Sequence, residues 1–338
     1  MSTRIAINGF GRIGRLAFRQ IFGTEGYEIV AINDLADPAM LANLLKYDST
    51  QGRYELYQWV QSSDTSIFVA GKEVKIFNET KPENLPWKEL DIDLVIDSTG
   101  LFLTKEALNK HIIAGAKKVL VSAPAKDNMP TIVYGINHET LKAEDRIISA
   151  ASCTTNCLAP MVKALNEFAP IQHGIMTTVH AYTGDQMELD APHKKGDMRR
   201  ARAGSLNIVP NSTGAAKAIG LVLPELEGKL IGSAQRVPVP AGSTTILVAV
   251  VKGENITKEA INEAMRKVSN ESFGYNEDPI VSSDIVGIRQ GSLFDATQTM
   301  VGKLDEENTY QVQVVSWYDN ETSYVSQMVR TMKYFARM

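Results

Sequence analysis

The sequence predicts an α/β protein in two parts. A doubly wound parallel sheet is expected over residues 1–151 and an α+β domain with a mostly antiparallel sheet over 152–318. A C-terminal helix within 319–338 is expected to return to the first part. Three observations predict this. The chain has 338 residues, too many for one core. Short apolar runs alternate with helical patterns as far as Val121, the mark of a parallel sheet. From Gly174 onward the pattern changes to strands with few helices between them. Composition is that of an ordinary soluble globular chain, 44% hydrophobic and 22% charged. The net charge of −4 offers no general affinity for nucleic acid. No apolar run approaches the roughly 20 residues of a membrane span. The chain opens on a strand pattern rather than a signal peptide, and two cysteines make no disulfide framework, so a cytoplasmic protein is expected.

The first strand is Ile5–Asn8, followed at once by Gly9-Phe-Gly-Arg-Ile-Gly14. A helix over Arg15–Phe22 is expected, because Leu16, Phe18, Ile21 and Phe22 share one face. Glu28–Ile32 is the second strand, ending in Asn33-Asp34. A lone glycine motif can be an ordinary turn. Here it stands between strand and helix, with an acidic residue closing the next strand, as in a Rossmann-type dinucleotide-binding unit. Gly9 would make the turn, Gly11 would admit the pyrophosphate and Gly14 would let helix and strand pack. Asp34 would accept the ribose hydroxyls and repel a 2′-phosphate, so NAD is the expected cofactor. Next come a helix over Pro38–Tyr47, short strands within 53–80, a strand at Leu94–Asp97, a helix over Lys105–Ala114 and a strand at Lys118–Val121. Ser98, Thr99 and Ser122 sit at strand ends, where they line a ligand crevice or simply cap helices.

Ser152-Cys-Thr-Thr-Asn-Cys157 lies between an extended segment, Arg146–Ala151, and a helical run, Leu158–Asn166. Cys153 is therefore expected at a helix N-terminus, where free N–H groups favour a thiolate. Cys157, one turn on, reads as a packed small hydrophobe. A zinc site lacks a second cysteine pair. Gly174–Val179 is a strand that leads into His180, the favoured partner for a cysteine nucleophile among five histidines. Residues 184–210 form a long irregular stretch whose basic residues are interleaved with Asp185, Glu188, Asp190 and Asp197. It reads as a solvated or phosphate-directed loop rather than a nucleic-acid surface. Asn211–Gly214 precedes a helix start that could hold an anion. Arg236–Pro240, Thr244–Lys252 and Tyr310–Tyr318 are expected strands, and Val325–Phe335 a closing helix.

A hydride-accepting cofactor together with a thiolate suits aldehyde oxidation. Thiolate addition makes a tetrahedral adduct able to give up hydride, and the product is a thioester. The set Thr183, Arg199, Thr213, Gly214 and Arg236 points to a phosphorylated substrate, with phosphate as a possible acyl acceptor.

Asn8–Gly14, Ala151–Cys157, Thr178-Val-His180, Arg236–Pro240 and Trp317–Glu321 together resemble the phosphorylating glyceraldehyde-3-phosphate dehydrogenases. The likeness runs from about residue 3 to about 336. It implies a glycolytic enzyme, usually a homotetramer, that converts glyceraldehyde 3-phosphate, phosphate and NAD to 1,3-bisphosphoglycerate and NADH. It implies Cys153 as nucleophile and His180 as acid–base. Ser152, Thr154, Thr213 and Gly214 would bind the attacking phosphate, and Thr183 and Arg236 the substrate phosphate, with Arg199 a further phosphate ligand. Arg12, Ile13, Asp34, Ser122 and Asn320 would contact NAD. No metal, membrane or nucleic-acid partner is implied. Two departures stand out. Thr80 occupies a place where relatives carry an adenine-side arginine, and Asp190-Ala191-Pro192 replaces their Leu-Pro or Gly-Pro. An erythrose-4-phosphate dehydrogenase of the same fold and a non-catalytic NAD-binding redox sensor are the alternative readings.

Overall fold

Residues 2–338 are described by a computed structural model, in which the chain forms two units. One contains the chain up to Ile132, His138–Ala151 and Met328–Met338. The other contains Val133–Asn137 and Ser152–Gln327.

In the first unit the chain runs β1 (Thr3–Asn8), α1 (Arg12–Ile21), β2 (Tyr27–Asn33), α2 (Pro38–Lys46), β3 (Val60–Ser62), β4 (Ser66–Val69) and β5 (Lys72–Phe77). It continues with β6 (Leu94–Asp97), α3 (Lys105–Ile113), β7 (Lys118–Val121) and β8 (Ile147–Ser149). The strands make one sheet in the order β3-β4-β5-β2-β1-β6-β7-β8. The pairs from β5 to β8 are parallel. β6 and β8 are buried along their whole length, which is why Leu94–Ile96 and Ile147-Ile148 show no apolar–polar alternation. The edge is antiparallel: β4 and β5 join through Ala70-Gly71, both at positive φ, the geometry of a two-residue hairpin. β1 has β2 on one side and β6 on the other. The order reverses there, and a ligand crevice opens at the carboxyl ends of β1 and β6.

The second unit begins with α4 (Cys153–Phe168), followed by β9 (Ile171–Ala181), β10 (Val209–Ser212), α5 (Ala215–Val222), β11 (Leu230–Val237) and β12 (Ser243–Lys252). Then come α6 (Lys258–Lys267), β13 (Phe273–Asn276), β14 (Ser292–Asp295), β15 (Met300–Lys303), β16 (Thr309–Tyr318) and the start of α7 (Thr322–Arg337), whose residues from Met328 onward belong to the first unit. The sheet order is β10-β11-β9-β12-β16-β14-β13, with β15 also on β16. Most pairs are antiparallel, but β11 runs parallel to β9, and β13 to β14. α4 lays its buried Cys157, Leu158, Met161 and Leu165 across β12, β14 and β16. Between β9 and β10 no helix or regular strand forms, in keeping with the irregular stretch expected there.

Several elements depart from the sequence expectation. β11 starts at Leu230, six residues before the expected Arg236, and ends at Val237 where prolines begin. β13, β14 and β15 have four residues each, too few to show a period. α6 buries only Ile261 and Met265, so its apolar stripe is a single pair.

Candidate active site

The glycines of the first turn are dictated by space. A Cβ on Gly14 would stand 2.2 Å from the Gly9 carbonyl oxygen, and Gly9 has φ +87° with Thr99 N 2.8 Å from its would-be Cβ. A Cβ on Gly11 would meet nothing within 4 Å, so that side of its Cα faces open space. Gly11 caps α1 without any side-chain hydrogen bond, and the N-terminus of such a helix favours an anion. Asp34 is pinned at the end of β2, its Oδ2 accepting from Phe10 N at 2.7 Å and its Oδ1 from Ala36 N at 3.0 Å. A cleft of about 400 Å³ opens here, lined by Gly9, Gly11, Asp34, Leu35, Thr80 and Leu101 among others. Leu35 and Leu101 are 61% and 74% exposed, flat apolar walls suited to a heterocyclic base. An open backbone turn, an uncapped helix N-terminus, a strand-end carboxylate and apolar walls fit a dinucleotide. Arg12 and Ile13 lie on the first turn of α1, and Arg12 is held by Asp48 at 2.6 Å. Ser122 follows β7, its N–H donating to Asp97 O at 2.8 Å.

Cys153 is the first residue of α4. Ser152 caps that helix through an Oγ that accepts from Thr155 N at 3.1 Å. Ala151, immediately before, holds φ +59°, a left-handed conformation that an alanine adopts at a cost. Cys153 Sγ lies 3.4 Å from His180 Nε2. The other ring nitrogen, Nδ1, is 2.6 Å from the Ala181 carbonyl oxygen. A carbonyl can only accept, so Nδ1 carries the proton and Nε2 of the neutral ring is left as acceptor for the thiol. Burial pushes the Cys153 thiol up, while the Arg236 charge and the Thr154 hydroxyl pull it down. Burial, reinforced by Arg236, lowers His180 to about 4. Either charge alone is disfavoured. The proton therefore moves from sulfur to ring as one coupled event, in which the two charges compensate. The helix N-terminus by itself predicted a thiolate; desolvation opposes it, and the imidazole is what makes the charge attainable.

Arg236 reaches the site through the sheet. It is the register partner of His180 in the parallel β11–β9 pair, so both side chains stand on one face. Its guanidinium donates to Thr183 Oγ1 and, at 3.2 Å, to Gln186 Oε1. Thr183 Oγ1 in turn bonds Asp185. Thr213 Oγ1 accepts from Ala215 N, the first N–H of α5, at 3.2 Å, and Gly214 caps the helix with no side-chain hydrogen bond. Two residues singled out by sequence turn elsewhere. Thr154 Oγ1 is buried against the Tyr318 hydroxyl at 2.9 Å. Arg199 is exposed and donates to the Pro210 carbonyl at 3.3 Å. The neighbouring Arg200 turns inward: its Nε donates to Asn211 Oδ1 at 3.0 Å, it pairs with Asp185, and its charge is felt at His180. Asn320 Oδ1 is 3.4 Å from Ser243 Oγ.

Two family descriptions match the chain. "Glyceraldehyde 3-phosphate dehydrogenase, NAD binding domain" covers residues 3–105, and "Glyceraldehyde 3-phosphate dehydrogenase, C-terminal domain" covers residues 152–320. The glyceraldehyde-3-phosphate dehydrogenase of Clostridium pasteurianum is 58% identical over 336 residues, 99% of each chain. That of Streptococcus pyogenes is 58% identical over 339 residues, covering 100% of this chain and 99% of the relative. The chain belongs to the glyceraldehyde-3-phosphate dehydrogenase family. It is an NAD-dependent oxidoreductase, with one parallel-rich sheet and one mostly antiparallel sheet as the sequence predicted.

Within that family frame, three residues that the sequence reading left unassigned stand at the site. Tyr318 bonds both Thr154 and, at 2.8 Å, Thr178, and sets its ring edge-on to His180 at 5.9 Å. It lies inside the Trp317–Glu321 motif, which was the available signal. Arg200 differs from Arg199 only in which way the loop turns. Ser243 carries no sequence signal. Among the described residues no group of His, Cys, Asp and Glu could hold a metal ion, and no helix is long and apolar enough to cross a membrane.

Proposed function

We propose that the chain carries out the oxidative phosphorylation of D-glyceraldehyde 3-phosphate to 1,3-bisphosphoglycerate, the glycolytic reaction, with Cys153 as nucleophile and His180 as acid–base. The observation that carries this reading is the Cys153–His180 pair at 3.4 Å, with Arg236 beside it in the sheet. NAD, when bound, supplies the hydride acceptor. Gly9, Gly11, Gly14, Arg12, Ile13, Asp34, Ser122 and Asn320 are the residues proposed to hold it.

Cys153 Sγ adds to the aldehyde carbon while its proton passes to His180 Nε2. The imidazolium so formed donates to the developing oxyanion, giving a hemithioacetal and restoring the neutral ring. His180 Nε2 then takes the hydroxyl proton as the adduct is oxidised to the thioester. Phosphate attacks the thioester carbon, the C–S bond breaks and the acyl phosphate leaves. The sulfur regains its proton from His180. Thr183 and Arg236 are assigned to the substrate phosphate. Ser152, Thr154, Thr213 and Gly214 are assigned to the attacking phosphate, with Arg200 in place of Arg199 on the strength of its inward turn. The Thr154 hydroxyl is engaged by Tyr318, so its part falls to the backbone N–H at the start of α4.

A cytoplasmic homotetramer is the proposed assembly and setting. The outer face of the second sheet supports the assembly, since Ile175 and Ile231 are register partners there and 55% and 64% exposed. The test is the initial rate of NADH formation with glyceraldehyde 3-phosphate and with erythrose 4-phosphate, each with and without phosphate. Phosphate-dependent turnover of the triose, abolished in Cys153→Ser, is expected. Preference for the tetrose, or no turnover by reduced wild-type protein, would overturn the reading.

A further inference from the structure

Ser243 stands at the start of β12 and is 1% exposed. Its Oγ accepts a hydrogen bond from Ala181 N at 3.0 Å, which leaves its own proton free to donate. That proton faces Asn320 Oδ1 at 3.4 Å. Ala181 is the residue whose carbonyl oxygen fixes the His180 tautomer. One hydroxyl thus joins the strand end that orients the acid–base residue to the turn that carries Asn320. An amide has one accepting and one donating end. A donor aimed at Oδ1 determines which way round Asn320 sits and keeps Nδ2 as its outward-available end. Among the described residues no hydrogen bond uses that Nδ2, and it keeps some solvent exposure, so it is open to an acceptor from outside the chain.

We propose that Ser243 is a positioning residue for the cofactor: it locks the Asn320 amide so that Nδ2 is presented to an acceptor on NAD. This rests on the reading of Asn320 as an NAD contact, and acts through Asn320 rather than on NAD itself. Apolar replacement of Ser243 frees the amide to rotate, and a correctly aimed donor becomes one orientation among several.

The test uses the intact, reduced enzyme and measures NAD affinity by calorimetric titration in Ser243→Ala, Asn320→Ala and the double variant. Each single variant is expected to weaken NAD about tenfold, the worth of one hydrogen bond. The double variant should be no more than about twofold weaker than either, because both remove one interaction. Ser243→Cys, which keeps the volume and replaces the hydroxyl by a weak donor, should weaken NAD in the same direction. A second readout separates positioning of the cofactor from damage to the Cys–His pair: in Ser243→Ala the fold-loss of NAD affinity should exceed any fold-change in the rate of Cys153 alkylation by iodoacetamide without NAD. Additive losses, or unchanged affinity in Ser243→Ala while Asn320→Ala is weakened, would overturn the proposal and leave the Asn320 reading standing. Unchanged affinity in Asn320→Ala would remove that reading and the proposal with it. Collapse of Cys153 alkylation in Ser243→Ala would also overturn it, since Ser243 would then act through the Cys–His pair.

Discussion

At the residue scale the proposed chemistry depends on a half-buried thiol and a buried imidazole that cannot ionise separately at low cost. Removing the acceptor should therefore cost more than removing a surface charge. His180→Asn is expected to lower kcat by about 10²–10⁴-fold, the range of general acid–base catalysis, and to slow alkylation of Cys153 at neutral pH. Cys157 should stay unmodified in the same experiment. Burial raises its thiol to about 12, and it packs against Ser292 and the carbonyls of Ser316 and Trp317. The acid limb has a defined sign. His180 is lowered to about 4 in the fold, below the usual imidazole value. Its neutral form is thus preferred by the native state, and the associated stability is intact above about pH 6.5 and is lost as pH falls toward 4. Thermal midpoints across that range in wild type and His180→Asn should converge at the acid end if this group carries the effect. Asp34 is proposed to set cofactor choice through its charge, so kcat/KM with NADP is expected to lie at least tenfold below that with NAD. Parity between the two would remove that assignment.

At the scale of the element, the two helix N-termini are built by opposite means. α1 relies on space: Gly14 cannot bear a Cβ, because the Gly9 carbonyl oxygen lies 2.2 Å away. Gly14→Ala should push helix and strand apart, weakening NAD binding at least tenfold with a lower melting temperature. α4 relies on a cap and on strain. Ser152→Ala removes the cap, which is worth about 1 kcal/mol. Ala151 keeps φ +59°. Glycine should be accepted there with little loss of stability. Valine, whose branched Cβ resists positive φ, should destabilise by about 1–3 kcal/mol in chemical denaturation. Pro160 lies inside α4, and the missing N–H costs one hydrogen bond in a helix that still packs eleven buried residues.

At the scale of the whole molecule, the exposed apolar residues of the second sheet are the surface that the proposed homotetramer would cover. Ile175 and Ile231 sit side by side there, and Leu206 and Ile208 in the long loop are 73% and 68% exposed. Ile231→Glu places a charge on that face without touching Cys153 or His180. It is expected to lower the assembly state measured by sedimentation, with the Cys153 alkylation rate retained. An unchanged sedimentation coefficient would remove this face from the assembly.

By itself, the sequence determined everything that short-range geometry dictates. Strand, glycine turn and helix within Ile5–Phe22 follow from steric rules that act over a few residues, and so does a cysteine at the head of a helix. The doubly wound order followed from alternating patterns, and the cofactor from Asp34 at a strand end. Tertiary structure decided what depends on pairing between distant segments. β11 had little alternation to betray it, yet its parallel register with β9 is what sets Arg236 beside His180. The inward turn of Arg200, where Arg199 faces out, depended on how an irregular loop closes onto Asn211. The orientation of His180 depended on one carbonyl, and its basicity on burial by β-strands far along the chain. Side-chain charge and hydrogen bonding become specific only when the backbone brings partners within a few ångströms. That proximity is a property of the folded sheet and not of any local stretch of sequence.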